Sequence, residues 1–308
     1  PGLGEVSFAR DAIIMPARKE SAFAYSNDAF VEEPTLDITL QNRLFLFDPD
    51  NPLGLQFFLN LGGHIPLSNG WSIRGAYGID ALNNLSGNDR ESDSVLPKVR
   101  SNSLRYLKEG STGIESLVIE NRGTAARYLH YRGFGGILEK MFSGVGAEVL
   151  YQPYQSRLAV GLSGAWAKQR DYEGNFGHLD YSVVTGHASL YWATPFNNYD
   201  AALHVGRYLA KDIGGTLEVR RTFDNGWMVG LWATITDVPF DTYGEGSFDK
   251  GMFFRIPFDT LLGGSARANY DLVLRPIQRD GGARLEGYSG RLWWDLRSAR
   301  HDSLMRAR

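Results

Sequence analysis

Apolar and polar residues alternate along much of the chain from Leu36 onward. The alternation is clear in residues 36–41, 157–170, 181–193 and 216–223, where large apolar residues oppose small, polar or charged ones. A period of two places successive side chains on opposite faces of an extended chain, as in a β-strand with two different faces. The pattern therefore predicts an all-β, antiparallel protein.

Asn-Gly pairs mark two predicted hairpins. They stand at residues 69–70 and 225–226, each between two alternating runs. Asn-Gly favours a two-residue turn because both central residues need a positive φ. Counting the alternating runs between residues 36 and 296 predicts about 14 strands, within a range of roughly 12–16.

Two architectures fit this alternation. A soluble β-sandwich turns the apolar face inward and uses strands of about 5–6 residues. A transmembrane β-barrel turns that face toward lipid and needs strands of about 9–11 residues. The alternating runs are of the longer kind, and Trp166, Trp192, Trp227 and Tyr181 stand near their ends, where interfacial aromatic residues belong. We therefore favour an antiparallel transmembrane β-barrel.

Composition divides the chain into three predicted segments. Residues 1–33 are a leading turn-rich segment, residues 34–296 are the β-barrel, and residues 297–308 are a basic tail. Polar, aperiodic stretches near residues 83–103 and 237–250 predict long loops. We expect the first of these loops to be exposed and mobile.

Composition also excludes several classes of protein. The 308 residues contain 36 Gly, 7 Trp, 15 Tyr and 17 Phe, which is typical of β structure with many tight turns. A net charge of −3 argues against a basic nucleic-acid-binding surface. The absence of Cys excludes disulfides, Cys-ligated zinc and Cys nucleophiles. No apolar run reaches the roughly 18 residues of a transmembrane helix.

No catalytic pattern stands out among the reactive residue types. The six His are scattered, without an HExxH motif, and no Gly-x-Ser-x-Gly motif occurs. We therefore expect a protein that is not an enzyme and that uses no metal and no cofactor.

Five stretches of the sequence resemble one known family. They are Gly144–Pro153, Thr185–Tyr191, Gly206–Asp212, Gly244–Gly251 and Leu274–Gly282. Together they resemble the C-terminal half of the YjbH/GfcD-type outer-membrane proteins, which serve exopolysaccharide and group 4 capsule production in Gram-negative bacteria. The resemblance is dense over residues 136–286 and thin before residue 100.

The resemblance implies a lipid-anchored protein of the bacterial outer membrane, built of β-barrels and acting late in polysaccharide export. We therefore expect a conduit or scaffold without catalysis. The alternatives are a general porin-like outer-membrane channel and a soluble β-sandwich carbohydrate-binding protein. Outer-membrane barrels often end on an aromatic strand, and Leu292–Leu296 is the candidate for it.

Expected partners follow from the same resemblance. They are outer-membrane lipids, exopolysaccharide, periplasmic export proteins, and either the N-terminal half that this chain lacks or a companion subunit. The chain would then be a fragment, a processed product or a split subunit. Nucleic acid is not an expected partner.

Two groups of residues are candidates for contact with a glycan. The first lies on polar strand faces, and thus in the predicted lumen: His187, Glu218, Arg220, Arg255 and Arg275. The second lies in loop motifs: Glu245, Ser247, Asp249, Lys250, Gln278, Arg279 and Asp280. Both groups have a structural alternative, in which lumen charges pair with one another and the loop residues fix turns.

Overall fold

The computed structural model describes residues 33–46, 53–85, 94–239, 248–257, 269–274, 280–297 and 300. The strands and helices named below all belong to the unit Pro34–Arg308.

A single antiparallel sheet dominates the fold, and its 13 described strands follow one another in chain order. The strands are β1 (Thr35–Leu46), β2 (Leu53–Pro66), β3 (Trp71–Asn83), β4 (Gly113–Ala126), β5 (Leu129–Ile137), β6 (Phe142–Tyr151), β7 (Leu158–Arg170), β8 (His178–Ala193), β9 (Tyr199–Arg207), β10 (Ile213–Thr222), β11 (Met228–Thr236), β12 (Asp249–Pro257) and β13 (Asn269–Leu274). The predicted all-β, antiparallel class is confirmed. Among the described pairings, β1 and β13 each have one neighbour, so the sheet is open.

Two short α-helices are α1 (Ser103–Glu109) and α2 (Leu292–Asp295), and Ser68–Gly70 forms a 3-10 turn between β2 and β3. In the described part of the chain, no helix has the length and hydropathy needed to cross a membrane.

The two faces of the sheet differ in the way that the alternation predicts. On β7, Leu162 is 60% exposed while its neighbour Ser163 is 6% exposed. On β8, Val184 and Leu190 are exposed while Thr185 and His187 are buried. The large apolar side chains thus cover the outer face, and small, polar and charged side chains cover the inner face.

The two predicted hairpins have different turns. Between β2 and β3, Asn69 and Gly70 have φ values of 58° and 76°, as predicted. A Cβ on Gly70 would lie 2.1 Å from the carbonyl oxygen of Arg122, so only Gly fits there. Between β10 and β11 only Gly226 has a positive φ, of 84°. The Gly226 N–H donates to Phe223, so the prediction of two central residues with positive φ is wrong for this hairpin.

The hairpin turns define two rims of the sheet. The Asn69 rim carries the β2–β3 turn and the β10–β11 turn, and the Asp212 rim carries the β9–β10 turn. Each strand runs from one rim to the other because every connection joins neighbouring antiparallel strands.

Two segments outside the sheet pack against its inner face. Val99 and Arg100 are 0% and 4% exposed, so the prediction that residues 83–103 form an exposed loop is wrong for this part. Val99 and Tyr106 join a core with side chains of the inner sheet face. The inner face carries charged as well as apolar side chains, so Arg100 is buried beside Val99 and binds Glu139 there.

The predicted aromatic strand at Leu292–Leu296 is wrong as well. Its residues form α2, with Leu292 and Trp293 buried against the inner face. A run of five residues is too short to show a period that separates strand from helix.

Candidate functional site

The C-terminal segment, residues 280–297, crosses the inner face of the sheet from one rim to the other. At the Asp212 rim, the Leu209 N–H donates to the carbonyl of Ala283 over 2.8 Å. Near the Asn69 rim, Arg297 binds Asp200 at the start of β9 over 2.9 Å. The segment therefore runs along the full length of β9.

Asp280 fixes the beginning of this segment. It is 1% exposed and accepts the backbone N–H groups of Arg100 and Ser101 over 2.7 and 2.9 Å. Its second oxygen accepts the Ser101 hydroxyl over 2.7 Å. Two residues later, the Gly282 N–H donates to Asp212 over 2.7 Å. Burial raises the pKa of Asp212, and this hydrogen bond opposes the rise.

A buried ion pair joins both inner segments to the sheet. The Arg100 guanidinium binds both oxygens of Glu139 over 2.5 and 3.1 Å and donates to the carbonyl of Arg284 over 2.8 Å. Burial by itself lowers the pKa of Arg100, but the carboxylates of Glu139, Glu286 and Asp280 together outweigh it and raise that pKa. The charged form of Arg100 is therefore the stable one inside the fold.

A second charged cluster holds the middle of the C-terminal segment. Arg132 on β5 binds Glu120 on β4 over 2.5 Å and donates to the carbonyl of Gly287 over 2.8 Å. The Leu292 N–H donates to Glu148 over 3.0 Å. Charged side chains of the inner face thus bind backbone groups of the segment.

Aromatic packing holds the end of the segment. The ring of Trp293 stacks on Tyr191 of β8, with centroids 5.1 Å apart and planes 16° apart. The Arg300 guanidinium lies 3.9 Å from the Trp293 centroid and binds Asp200 over 2.8 Å.

A cavity of about 570 Å³ remains between the C-terminal segment and strands β10–β12. Its wall includes Glu218, Arg220, Trp232, Asp249, Phe253, Arg255, Arg284 and Trp294. This volume lies in the range of about 300–1,000 Å³ that is usual for small-molecule sites.

The cavity wall combines aromatic rings with paired charges. The Arg220 guanidinium lies 3.1 Å from the Trp294 centroid and binds Glu218. Trp232 stacks on Phe253 with centroids 6.2 Å apart, and its indole N–H donates to Asp249 over 2.9 Å. Aromatic faces beside hydrogen-bonding groups are suited to a ligand with both apolar and polar surfaces.

Comparison with known proteins assigns the family. The family model of the exopolysaccharide biosynthesis protein YbjH, also written YjbH, matches residues 5–297. The chain belongs to this family. It is 40% identical over 204 residues to the lipoprotein YjbH of Escherichia coli (strain K12). That match covers 63% of this chain and 28% of the relative, so the chain corresponds to a minor part of the relative's length.

In this YjbH-family chain, four of the candidate residues come together at the cavity. Glu218, Arg220 and Arg255 lie on the inner face, as the alternation predicts, and Asp249 joins them from the start of β12. Asp249 was assigned to a loop from the sequence, and it proves to be a strand residue opposite Thr234.

The other described candidates lie elsewhere. His187 is on the buried inner face, with its ring 4.8 Å from that of Tyr208, and it does not line the cavity. Lys250 pairs with Ala233 on the outer face and is exposed. Asp280 is bound to the segment before α1. The remaining candidates fall outside the described residues: Glu245, Ser247, Arg275, Gln278 and Arg279.

Sequence reasoning missed Trp232, Trp294 and Arg284 as cavity residues. The alternation of β11 could have found Trp232, because it shares a face with Thr234. Trp294 and Arg284 belong to the C-terminal segment, which has no hydrophobic period to indicate which way its side chains point. Over the described ranges, no group of three or more His, Asp or Glu is placed to hold a metal ion.

Proposed function

We propose that this YjbH-family chain forms an outer-membrane β-barrel module that acts in exopolysaccharide export, as a conduit or scaffold without catalysis. The family is one of exopolysaccharide biosynthesis, which supports a role in exopolysaccharide production. The E. coli relative is named a lipoprotein, which supports a place in the cell envelope.

The observation that carries the proposal is the inverted polarity of the sheet. Its outer face exposes large apolar side chains on successive strands, among them Leu117, Ile119, Val145, Leu162, Val184, Leu203, Leu217 and Leu231. Its inner face buries Glu120, Arg132, Glu148 and Glu218. A continuous apolar surface of this kind is costly in water and favourable in lipid.

Strand length and aromatic placement support the same proposal. The shortest of the strands β4–β11 has 9 residues and the longest has 16, whereas about 9–11 are needed to cross the hydrocarbon layer. Trp71, Tyr151 and Trp192 are exposed near the Asn69 rim, and Trp166 is exposed nearer the other rim. Membrane barrels place aromatic residues at both interfaces. Tyr181, which was expected in such a position, packs instead against the inner core.

The described sheet has two edges, and a sheet that spans lipid must pair both of them. We propose that β1 and β13 pair with each other or with strands supplied by another segment. The N-terminal half typical of the family, or a companion subunit, is the proposed source of such strands.

The alternatives fit this geometry less well. A soluble β-sandwich carbohydrate-binding protein would bury its apolar face and put the polar face in water. A general porin-like channel would keep an aqueous lumen, whereas here the C-terminal segment and the segment before α1 cover much of the inner face.

Arginine substitutions at two depths on one strand test the proposal. Leu162 lies in the middle of the outer face of β7, and Leu158 lies at its end beside Trp192. An Arg costs about 2–4 kcal/mol at the middle of the bilayer and about 0–1 near its interface. We therefore expect Leu162→Arg to prevent insertion into the outer membrane and Leu158→Arg to permit it, as measured by heat-modifiable migration of membrane fractions.

The two residues are similarly exposed, so they form a matched pair. In a soluble protein both substitutions would be tolerated, because each replaces an exposed apolar side chain by a charged one. Normal levels of folded Leu162→Arg would therefore rule out the lipid-facing assignment.

A further inference from the structure

We propose that the cavity between the C-terminal segment and β10–β12 binds a neutral pyranose unit of a glycan. This inference rests on the proposed function and names the ligand class for its interior site. A sugar ring has apolar C–H faces and a polar rim of hydroxyls, and the cavity offers partners for both.

The apolar partners come from two elements. Trp294 belongs to α2, whereas Trp232 and Phe253 are stacked on the sheet. All three side chains are partly exposed and line the cavity. The Arg220 guanidinium lies against both Trp294 and Phe253, at 3.1 and 5.0 Å from their centroids. This contact holds the aromatic groups in fixed positions, so a ring that stacks on them loses little of its binding energy to their ordering.

The polar partners are charged groups, most of which are held in ion pairs. Five Arg and four acidic residues line the described cavity wall. Glu218 binds Arg220 and lies 3.8 Å from Arg284, while Arg291 binds Asp295 over 2.8 Å. Arg297 binds Asp200, which lies outside the wall and also binds Arg300.

Charge balance decides between neutral and acidic sugars. An acidic sugar would compete with the buried Glu218 for Arg220 and Arg284, and a Glu218 carboxylate left unpaired would be costly. A hydroxyl can donate to a paired carboxylate and accept from a paired guanidinium without breaking either pair. The cavity is therefore suited to a neutral sugar.

Binding to the full chain in detergent micelles tests the site. The probes are oligosaccharides from the partly hydrolysed exopolysaccharide of the host bacterium, separated by ion exchange into a neutral pool and an acidic pool. We expect the neutral pool to bind, as measured by calorimetry. Trp294→Ala should raise its Kd by about tenfold, or about 1.4 kcal/mol, because it removes an aromatic face on which the sugar stacks.

Trp71→Ala is the matched control, because Trp71 is exposed on the outer face at the Asn69 rim. It should leave the Kd unchanged. If Trp294→Ala does not fold, Trp232→Leu tests the second aromatic surface with the same expected loss.

The possible outcomes distinguish a failure of the sugar site from a failure of the proposed function. A chain that inserts into micelles but binds neither pool overturns the site and leaves the barrel proposal standing. Binding of the acidic pool alone, or an unchanged Kd in the Trp variants, also overturns it. A chain that stays soluble without detergent overturns the membrane proposal, whichever pool it binds.

Discussion

Glu120 is a single carboxylate that binds three guanidinium groups inside the fold. It accepts from Arg74 and Arg132 over 2.5 Å each and from Arg122. Glu120 and Arg132 are both almost fully buried, whereas Arg74 and Arg122 are partly exposed. Removing one partner of a buried pair leaves an uncompensated charge, which is a larger cost than the loss of the attraction itself.

We expect Glu120→Gln to lower the free energy of unfolding by about 3–5 kcal/mol. The exposed pair Arg105–Glu109 of α1 provides the control, because Glu109→Gln should cost less than about 0.5 kcal/mol. Urea unfolding of the chain refolded in micelles measures both. The double variant Glu120→Gln/Arg132→Met should recover part of the loss, and a simple sum of the single effects would contradict the pairing.

The C-terminal segment is held by polar contacts that do not satisfy every buried atom. Within the described structure, Trp293 Nε1 and one oxygen of Glu148 are buried at its contact with the sheet without a hydrogen-bond partner. Both ring nitrogens of His187 are also buried without a hydrogen-bond partner among the described residues. A buried polar atom without a partner costs about 1–3 kcal/mol. These unpaired atoms reduce the net stabilisation that the segment gains from its contacts with the sheet.

Asp280 joins the two inner segments to each other. We expect Asp280→Ala to release them, because two backbone N–H groups and a hydroxyl lose their acceptor. Limited proteolysis of outer-membrane fractions should then cut residues 94–103 and 280–297 several times faster than in the unmodified chain. Asp224→Ala, in the exposed β10–β11 turn, should leave the cleavage rate unchanged. Equal protection in both variants would mean that other contacts hold the segments.

The strands could be predicted from the sequence, and the inner segments could not. Alternation assigned Leu162 to the outer face and Glu218 and Arg220 to the inner face. A period of two places successive side chains on opposite faces of the strand, and the large apolar residues mark one of these faces. Val99 and Arg100 follow a polar stretch, and polar composition predicts exposure only where the interior is apolar. Trp294 lies in a run too short to have a period, so its place at the cavity required the tertiary structure.

If the sheet closes as proposed, its filled inner face makes an occluded barrel and not an open pore. We expect the chain in planar lipid bilayers to show little conductance, and a variant lacking residues 280–308 to show larger steps. Asp200→Asn, which removes the partner of Arg297 and Arg300, keeps the whole chain and should show intermittent opening. Steady large conductance of the unmodified chain would favour the porin-like alternative.

The chain-order meander also sets the sequence of events in folding. Every described strand pairs with its neighbour in the chain, so the sheet forms from contacts that are close in sequence. The contacts of the inner segments are distant: Arg100 and Asp280 are 180 residues apart, and Leu292 and Glu148 are 144 apart. Closing such long loops is slow compared with growing a hairpin. The sheet therefore forms first and the inner segments pack against it last. Substitutions in the C-terminal segment should accelerate unfolding and leave the rate of sheet formation almost unchanged.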